Sequence, residues 1–284
     1  MHVLVALTPR APPPACNLAV SAAGLTTGIS WSACAAFAMC TYKPHRITHN
    51  LIGTSQALTA LPLLWGCITA INSEDNNSSR ISLGLAVASI WLAVTAAFSP
   101  AFTSAVVRTV DPVVYPPVLR AFATITHLGT AGVCLNACRR TAKKACADVG
   151  ALMCALTSSL WRLPTKGDDG AAVVYAICSL PFATFAAIAA FAPFPLATIP
   201  SLLGKRLARA FGAWTLLTAV ALQALKDGSE SVALRRGLRA MCALHLVLMA
   251  ARPLLETATV YPAALAVLPA TVASLVPYVL LCVA

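Results

Sequence analysis

Residues 171–190 read AAVVYAICSLPFATFAAIAA and contain no charged side chain. A helix of about 20 apolar residues is long enough to cross the hydrocarbon core of a bilayer. The whole chain has this character, because 59% of its residues are hydrophobic, 10% are charged and the mean hydropathy is +0.80. Soluble domains carry about 25% charged residues. The sequence therefore predicts an all-α fold, a polytopic bundle of transmembrane helices.

Similar apolar runs recur on both sides of this segment, separated by short polar or basic loops. The pattern predicts about eight spans, and we expect them at residues 17–42, 51–71, 81–98, 113–137, 171–190, 210–225, 237–251 and 259–284. The third span ends at residue 98 or 107, depending on where Pro100 bends the helix. The run 191–203 contains three prolines, and a ninth crossing there is the alternative.

The spans fall into two halves around a basic centre. Residues 1–16 form a short N-terminal tail, 17–137 the first membrane half with about four spans, and 171–284 the second half with about four to five. Residues 138–170 form a basic central loop. Its apolar part, 149–161, is short for a span and is expected at the membrane interface.

Charge predicts the orientation, since lysine and arginine beside spans are held on the cytoplasmic side. The net charge is +11, with 20 basic and 9 acidic residues. A cytoplasmic central loop places the N-terminal tail and the loop ending at Arg80 on the same side, and the sequons at Asn76 and Asn77 are then unused. The basic turn at Lys43 opposes this assignment. The expected partner is the lipid bilayer, and no nucleic acid is expected because no aromatic–basic patch accompanies the charge.

The cysteines and histidines do not predict a metal or cofactor site. Most of the eleven cysteines lie in apolar runs, where cysteine acts as a small apolar residue. We expect free thiols in a reducing compartment, with palmitoylation of Cys138 as the alternative. His45 and His49 are four residues apart, but a catalytic zinc site takes three protein ligands.

Polar groups inside predicted spans are candidates for function because they are costly there. Arg120 lies near a helix start and can extend its charge to the interface. We interpret His127 and His245 as neutral imidazoles bonded to neighbouring helices, and Glu256 follows the penultimate span. No P-loop, GxGxxG, GxSxG or HExxH pattern occurs. We therefore assign no catalytic, cofactor-binding or metal-binding residue and predict that the chain is not an enzyme.

Two alternative functions stay open. A small-molecule or lipid transporter predicts a polar cavity lined by Thr124, Thr126, His127 and His245. A membrane-embedded enzyme acting on an apolar substrate would need His245 with Glu256, and these lie about three helical turns apart.

The first span contains Gly24-Leu25-Thr26-Thr27-Gly28, a GxxxG pattern. Two glycines on one helix face permit close approach of another helix. Ordinary packing inside the bundle is one interpretation, and a dimer face is the other.

Four short stretches carry a resemblance to a known family: Lys43-Pro44-His45-Arg46, Leu64-Trp65-Gly66, Asp111-Pro112-Val113-Val114-Tyr115-Pro116, and Lys226-Asp227-Gly228 with Leu234-Arg235-Arg236-Gly237-Leu238. The layout resembles the alphaherpesvirus multi-pass envelope membrane protein family encoded by gene forty-three of the unique long region. Members of that family carry a long proline-rich central loop, whereas 138–170 is short here. The resemblance implies a viral envelope protein of virion and host cell membranes. It also implies a role in modulating membrane fusion or glycoprotein trafficking, with viral glycoproteins among its membrane-protein partners. No functional residue is carried over.

Overall fold

The computed structural model describes residues 15–41, 47–73, 77–97, 117–137, 154, 158, 170–191, 202–229, 231–255 and 275–283. This part of the chain is helical and contains no strand, as the composition predicts. The helices are α1 (Ala15–Thr41), α2 (Ile47–Asn72), α3 (Ser78–Ala97), α4 (Pro117–Ala137), α5 (Gly170–Phe191), α6 (Leu202–Lys226), α7 (Val232–Leu255) and α8 (275–283).

Three of these helices are long and apolar enough to cross a membrane: Ser78–Ala97, Pro117–Ala137 and Gly170–Ala190. Leu18–Cys34 and Leu58–Asn72 are shorter apolar helical stretches. The expected total of about eight spans stays a prediction. The interfacial segment 149–161 lies outside the described residues except for Cys154 and Ser158.

Helix boundaries differ from the predicted spans at several helix starts. Helix α6 begins at Leu202, eight residues before its predicted start, and includes Lys205, Arg206 and Arg209. Helix α2 begins at Ile47, so His49 belongs to a helix and not to the preceding turn. Helix α7 begins five residues before its predicted start and includes Arg235 and Arg236. Both arginines are exposed, so the first turns of α7 carry charge on their outer side and apolar residues on their inner side.

Helix α6 occupies the centre of the bundle. Its residues 212–225 are all buried, and the helix contacts α5, α3 and α2. On the side of α1, the rings of Trp31 and Trp214 meet edge to face with centroids 5.6 Å apart. The segment 210–225 contains no charged side chain, which is typical of a helix in such a surrounded position.

Helices α5 and α6 form an antiparallel pair. Gln223 donates a hydrogen bond from Nε2 to Ser179 Oγ (2.7 Å), and Phe185 meets Phe211 with ring centroids 5.3 Å apart. Because residue numbers rise along one helix as they fall along the other, the end of α5 and the start of α6 lie at the same end of the bundle.

The opposite end of α6 is tied to the start of α3. Arg80 forms an ion pair with Asp227, and Asn77 Nδ2 donates to the carbonyl of Ala224 (3.3 Å). Gly228, at φ +89°, ends α6, with the amides of Gly228 and Ser229 donating back to Leu225 and Ala224. The α2–α3 and α6–α7 connections therefore lie at one end of the bundle.

Candidate functional site

The polar residues predicted to line a transport cavity do not come together. Thr124 and Thr126 donate their hydroxyls to carbonyls of their own helix, those of Arg120 and Phe122. His127 is buried on α4, which packs against α1 and α3. His245 is buried on α7, among different helices. The two histidines therefore belong to separate helix interfaces.

His245 lies in a stack of aromatic rings. Its imidazole is nearly parallel to the ring of Tyr278 on α8, with centroids 4.1 Å apart, and also stacks on Phe211 of α6 at 6.4 Å. Phe182 of α5 meets Tyr278 edge to face. This stack joins four helices and accounts for His245 as a packing residue. Its proposed enzymatic partner, Glu256, lies outside the described residues.

The GxxxG pattern packs inside the chain. A Cβ at Gly24 would overlap Ile68 Cδ1 of α2, and one at Gly28 would lie 3.7 Å from Leu61 Cδ2. Asn72 Nδ2 also donates to Ser21 Oγ across the same interface (2.6 Å). This geometry favours the first interpretation of the pattern, ordinary helix packing.

Beside this contact, α1 and α2 leave an open groove of about 780 Å³. Glycines and apolar side chains line most of it, and Trp65 is one of them, with 68% of its surface exposed. The groove is part of the outer, apolar surface of the bundle.

Two further glycines bring α2 and α7 into backbone contact. A Cβ at Gly237 would lie 2.5 Å from the carbonyl oxygen of Pro62 and 3.1 Å from Gly66 Cα. A Cβ at Gly66 would lie 3.0 Å from the carbonyl oxygen of Ala233. Gly66 and Gly237 come from two of the stretches that carry the family resemblance, so these stretches meet in the fold.

A layer of polar residues crosses the interior of the bundle, and we call it the mid-bundle layer. Each member is at most 3% exposed, and each comes from a different helix. The members are Ser30 of α1, Thr59 of α2, Ser89 of α3, His127 of α4 and Trp214 of α6.

Helix register places these residues at one level. Helix α4 runs antiparallel to α1 and α3, with Thr27 Oγ1 bonded to Thr130 Oγ1 and Ser82 Oγ donating to the Cys134 carbonyl (2.9 Å). Ser30 is three residues after Thr27 on α1, and His127 is three residues before Thr130 on α4, so Ser30 lies beside His127. Ser89 is seven residues after Ser82 on α3, and His127 is seven residues before Cys134 on α4, so Ser89 lies beside His127 as well.

Contacts of α6 and α2 complete the layer. The ring of Trp91 on α3 lies 3.2 Å from a Cβ built at Gly212 on α6. Because the two helices are antiparallel, Ser89, two residues before Trp91, is level with Trp214, two residues after Gly212. Gly28 meets both Leu61 and Leu64 of α2, which places Thr59 within about one helical turn of the level of Ser30. Ser89 stands eleven residues after the start of α3, about 16 Å along a helix axis at 1.5 Å per residue. The layer is thus near the middle of the bundle.

The sequence pointed only to His127 in this layer. Single serines, a threonine and a tryptophan inside apolar runs are ordinary packing residues when each run is considered alone. These residues come together only because the helices pair, and pairing cannot be predicted from any single run.

Comparisons with protein-family models, curated proteins and solved structures found no match to this chain. Seven of the cysteines in the described ranges are free thiols, and no group of three or more His, Cys, Asp or Glu side chains in the part of the chain that the structure describes could hold a metal ion.

Proposed function

We propose that this chain is a non-enzymatic, multi-pass integral membrane protein that acts through helix contacts with other membrane proteins. The observation that carries the proposal is the distribution of side chains on α4. Val118, Phe122 and Ile125 are exposed, whereas His127 and Thr130 are buried. An exposed apolar face of this kind is a liability in water but is the surface that lipid requires.

The proposal includes eight spans, seven formed by α1 to α7 and an eighth, predicted at 259–284, that contains α8. The N-terminal tail and the central loop are in the cytoplasm. The antiparallel α5–α6 pair supports eight spans over nine, because residues 191 and 202 lie at one end of the bundle. The ion pair of Arg80 with Asp227 supports it as well, because eight spans place both connections on the same side of the membrane.

Single-cysteine labelling in a cysteine-free background tests this topology. Cysteines at positions 75, 142, 168 and 229 are expected to react with a membrane-impermeant reagent only from the cytoplasmic side, and a cysteine at 204 only from the lumenal side. Glycosidase treatment is expected to leave the mass unchanged, because Asn76 and Asn77 are then cytoplasmic. Labelling of 75 and 229 from opposite sides would contradict the arrangement.

The family resemblance supplies the biological role in this proposal. We place the protein in the virion envelope and host cell membranes, where it modulates membrane fusion or glycoprotein trafficking. The structure supports a packing role for the resembling stretches, since Gly66, Gly237 and Asp227 hold helices together and do not form a reactive centre.

Coexpression with alphaherpesvirus fusion glycoproteins tests this role. The full chain is expected to change content mixing between cells, or the amount of glycoprotein at the surface, relative to empty vector. Trp65→Ala in the α1–α2 groove is expected to weaken the effect, whereas Ile125→Ala, with a similar exposed fraction (70%) on α4, is the matched control. No effect of the wild-type chain on either readout would overturn the role while leaving the topology intact.

A small-molecule or lipid transporter is the second candidate, and the mid-bundle layer is the observation that favours it. Buried polar residues near the middle of a membrane bundle are typical of substrate pathways. This candidate predicts that proteoliposomes take up a labelled solute and that His127→Ala abolishes uptake without loss of folding.

A further inference from the structure

Three polar groups of the mid-bundle layer have no hydrogen-bond partner among the described residues: Ser30 Oγ, Ser89 Oγ and Trp214 Nε1. All three side chains are at most 2% exposed. Buried polar groups in folded proteins are nearly always bonded to protein or to ordered water, because leaving them unbonded is costly.

The two serines behave differently from other hydroxyls of this bundle. Thr124, Thr218 and Ser179 donate to carbonyls three or four residues earlier in their own helices. Such back-bonding satisfies a hydroxyl within an apolar helix. Ser30 and Ser89 do not make this bond, so their hydroxyls are available to another partner in the layer.

The chemistry of the three groups defines the occupant. An indole N–H only donates, and a serine hydroxyl both donates and accepts. A molecule bound to all three groups must therefore accept a hydrogen bond from Trp214, and it must donate hydrogen bonds to Ser30 and Ser89 or accept them from these serines. It must also be neutral, since no member of the layer carries a fixed charge, and small, since all three side chains lie at most 2% exposed in a packed interior.

We propose that the mid-bundle layer is an internal water site, in which water bridges Ser30 of α1, Ser89 of α3 and Trp214 of α6. Buried waters in proteins make about three hydrogen bonds to otherwise unsatisfied groups, and the layer presents that number. The site would tie together three helices that are distant in sequence. It is independent of whether the chain acts on viral glycoproteins or transports a solute.

Nuclear magnetic resonance detects the water directly. In the full chain, labelled with ¹⁵N-tryptophan in lipid nanodiscs, the Trp214 indole resonance is assigned by its loss in Trp214→Phe. A water cross-peak to this indole proton is expected, and it should disappear in the double variant Ser30→Ala/Ser89→Ala. A Trp214 resonance without water contact would overturn the proposal. A resonance that shifts only with added chloride would also overturn it, because an anion would then occupy the layer.

Melting temperatures give an independent test that uses a matched control. Ser82→Ala, on the same face of α3, removes an intact bond to the Cys134 carbonyl. If water bonds the layer, Ser30→Ala and Ser89→Ala should each lower the melting temperature by about 2–4 °C, as Ser82→Ala does. If the layer is dry, both substitutions remove an unbonded hydroxyl and leave the melting temperature unchanged or raised. That result would overturn the proposal.

Discussion

Replacing Gly237 with alanine is expected to lower the free energy of unfolding by about 1–3 kcal/mol, the usual cost of forcing extra volume into a packed interior. The new Cβ would lie 2.5 Å from the Pro62 carbonyl oxygen and 3.1 Å from Gly66 Cα. Both atoms belong to the backbone of α2, so no side-chain rotation relieves the contact. The two helices must move apart, and the contacts along the rest of the α2–α7 interface weaken with them.

The matched control is Gly129→Ala on α4. Gly129 is also helical, but a Cβ built there meets nothing within 4 Å. Alanine is favoured over glycine inside a helix by about 0.5–1 kcal/mol, so this variant should be as stable as the wild type or more so. The measurement is unfolding of the purified chain in detergent or nanodiscs. Equal unfolding midpoints for Gly237→Ala and the wild type would show that α2 and α7 do not approach this closely.

The helices of this bundle could be predicted from the sequence because each apolar run contains its own signal. Residues 171–190 predict a helix from their length and lack of charge, and α5 covers them. Helix ends were harder to predict. Helix α7 begins five residues early, because Ser231 caps its first turn through a hydrogen bond from the Leu234 amide to Ser231 Oγ (3.2 Å).

Helix pairing could not be predicted in the same way, because it depends on contacts between runs far apart in sequence. The sequence singled out Gly24 and Gly28 by their spacing, but it offered no reason to pair Gly66 with Gly237. The candidate site shows the same limit. His127 was recognised as an unusual residue in an apolar run, whereas Ser30 and Ser89 became notable only when register brought them beside it.

A large loss of unfolding free energy is also expected for Leu222→Ala in the central helix α6. Leu222 is fully buried, and truncation of a buried leucine costs about 2–5 kcal/mol through lost transfer energy and the cavity left behind. We expect the lower part of that range, because lipid or detergent is as apolar as the bundle interior and the transfer contribution largely falls away. The cavity contribution stays, since α6 is surrounded by α2, α3 and α5 and its neighbours cannot all collapse onto the gap.

Leu128→Ala on α4 is the control that separates a lipid-facing surface from a packed one. Leu128 is 52% exposed, and lipid can fill the space that its side chain leaves. Its substitution should therefore change the free energy of unfolding by no more than about 0.5 kcal/mol. Unfolding of both variants in detergent measures the difference. A loss for Leu128→Ala as large as for Leu222→Ala would mean that this face of α4 is packed against protein and does not face lipid.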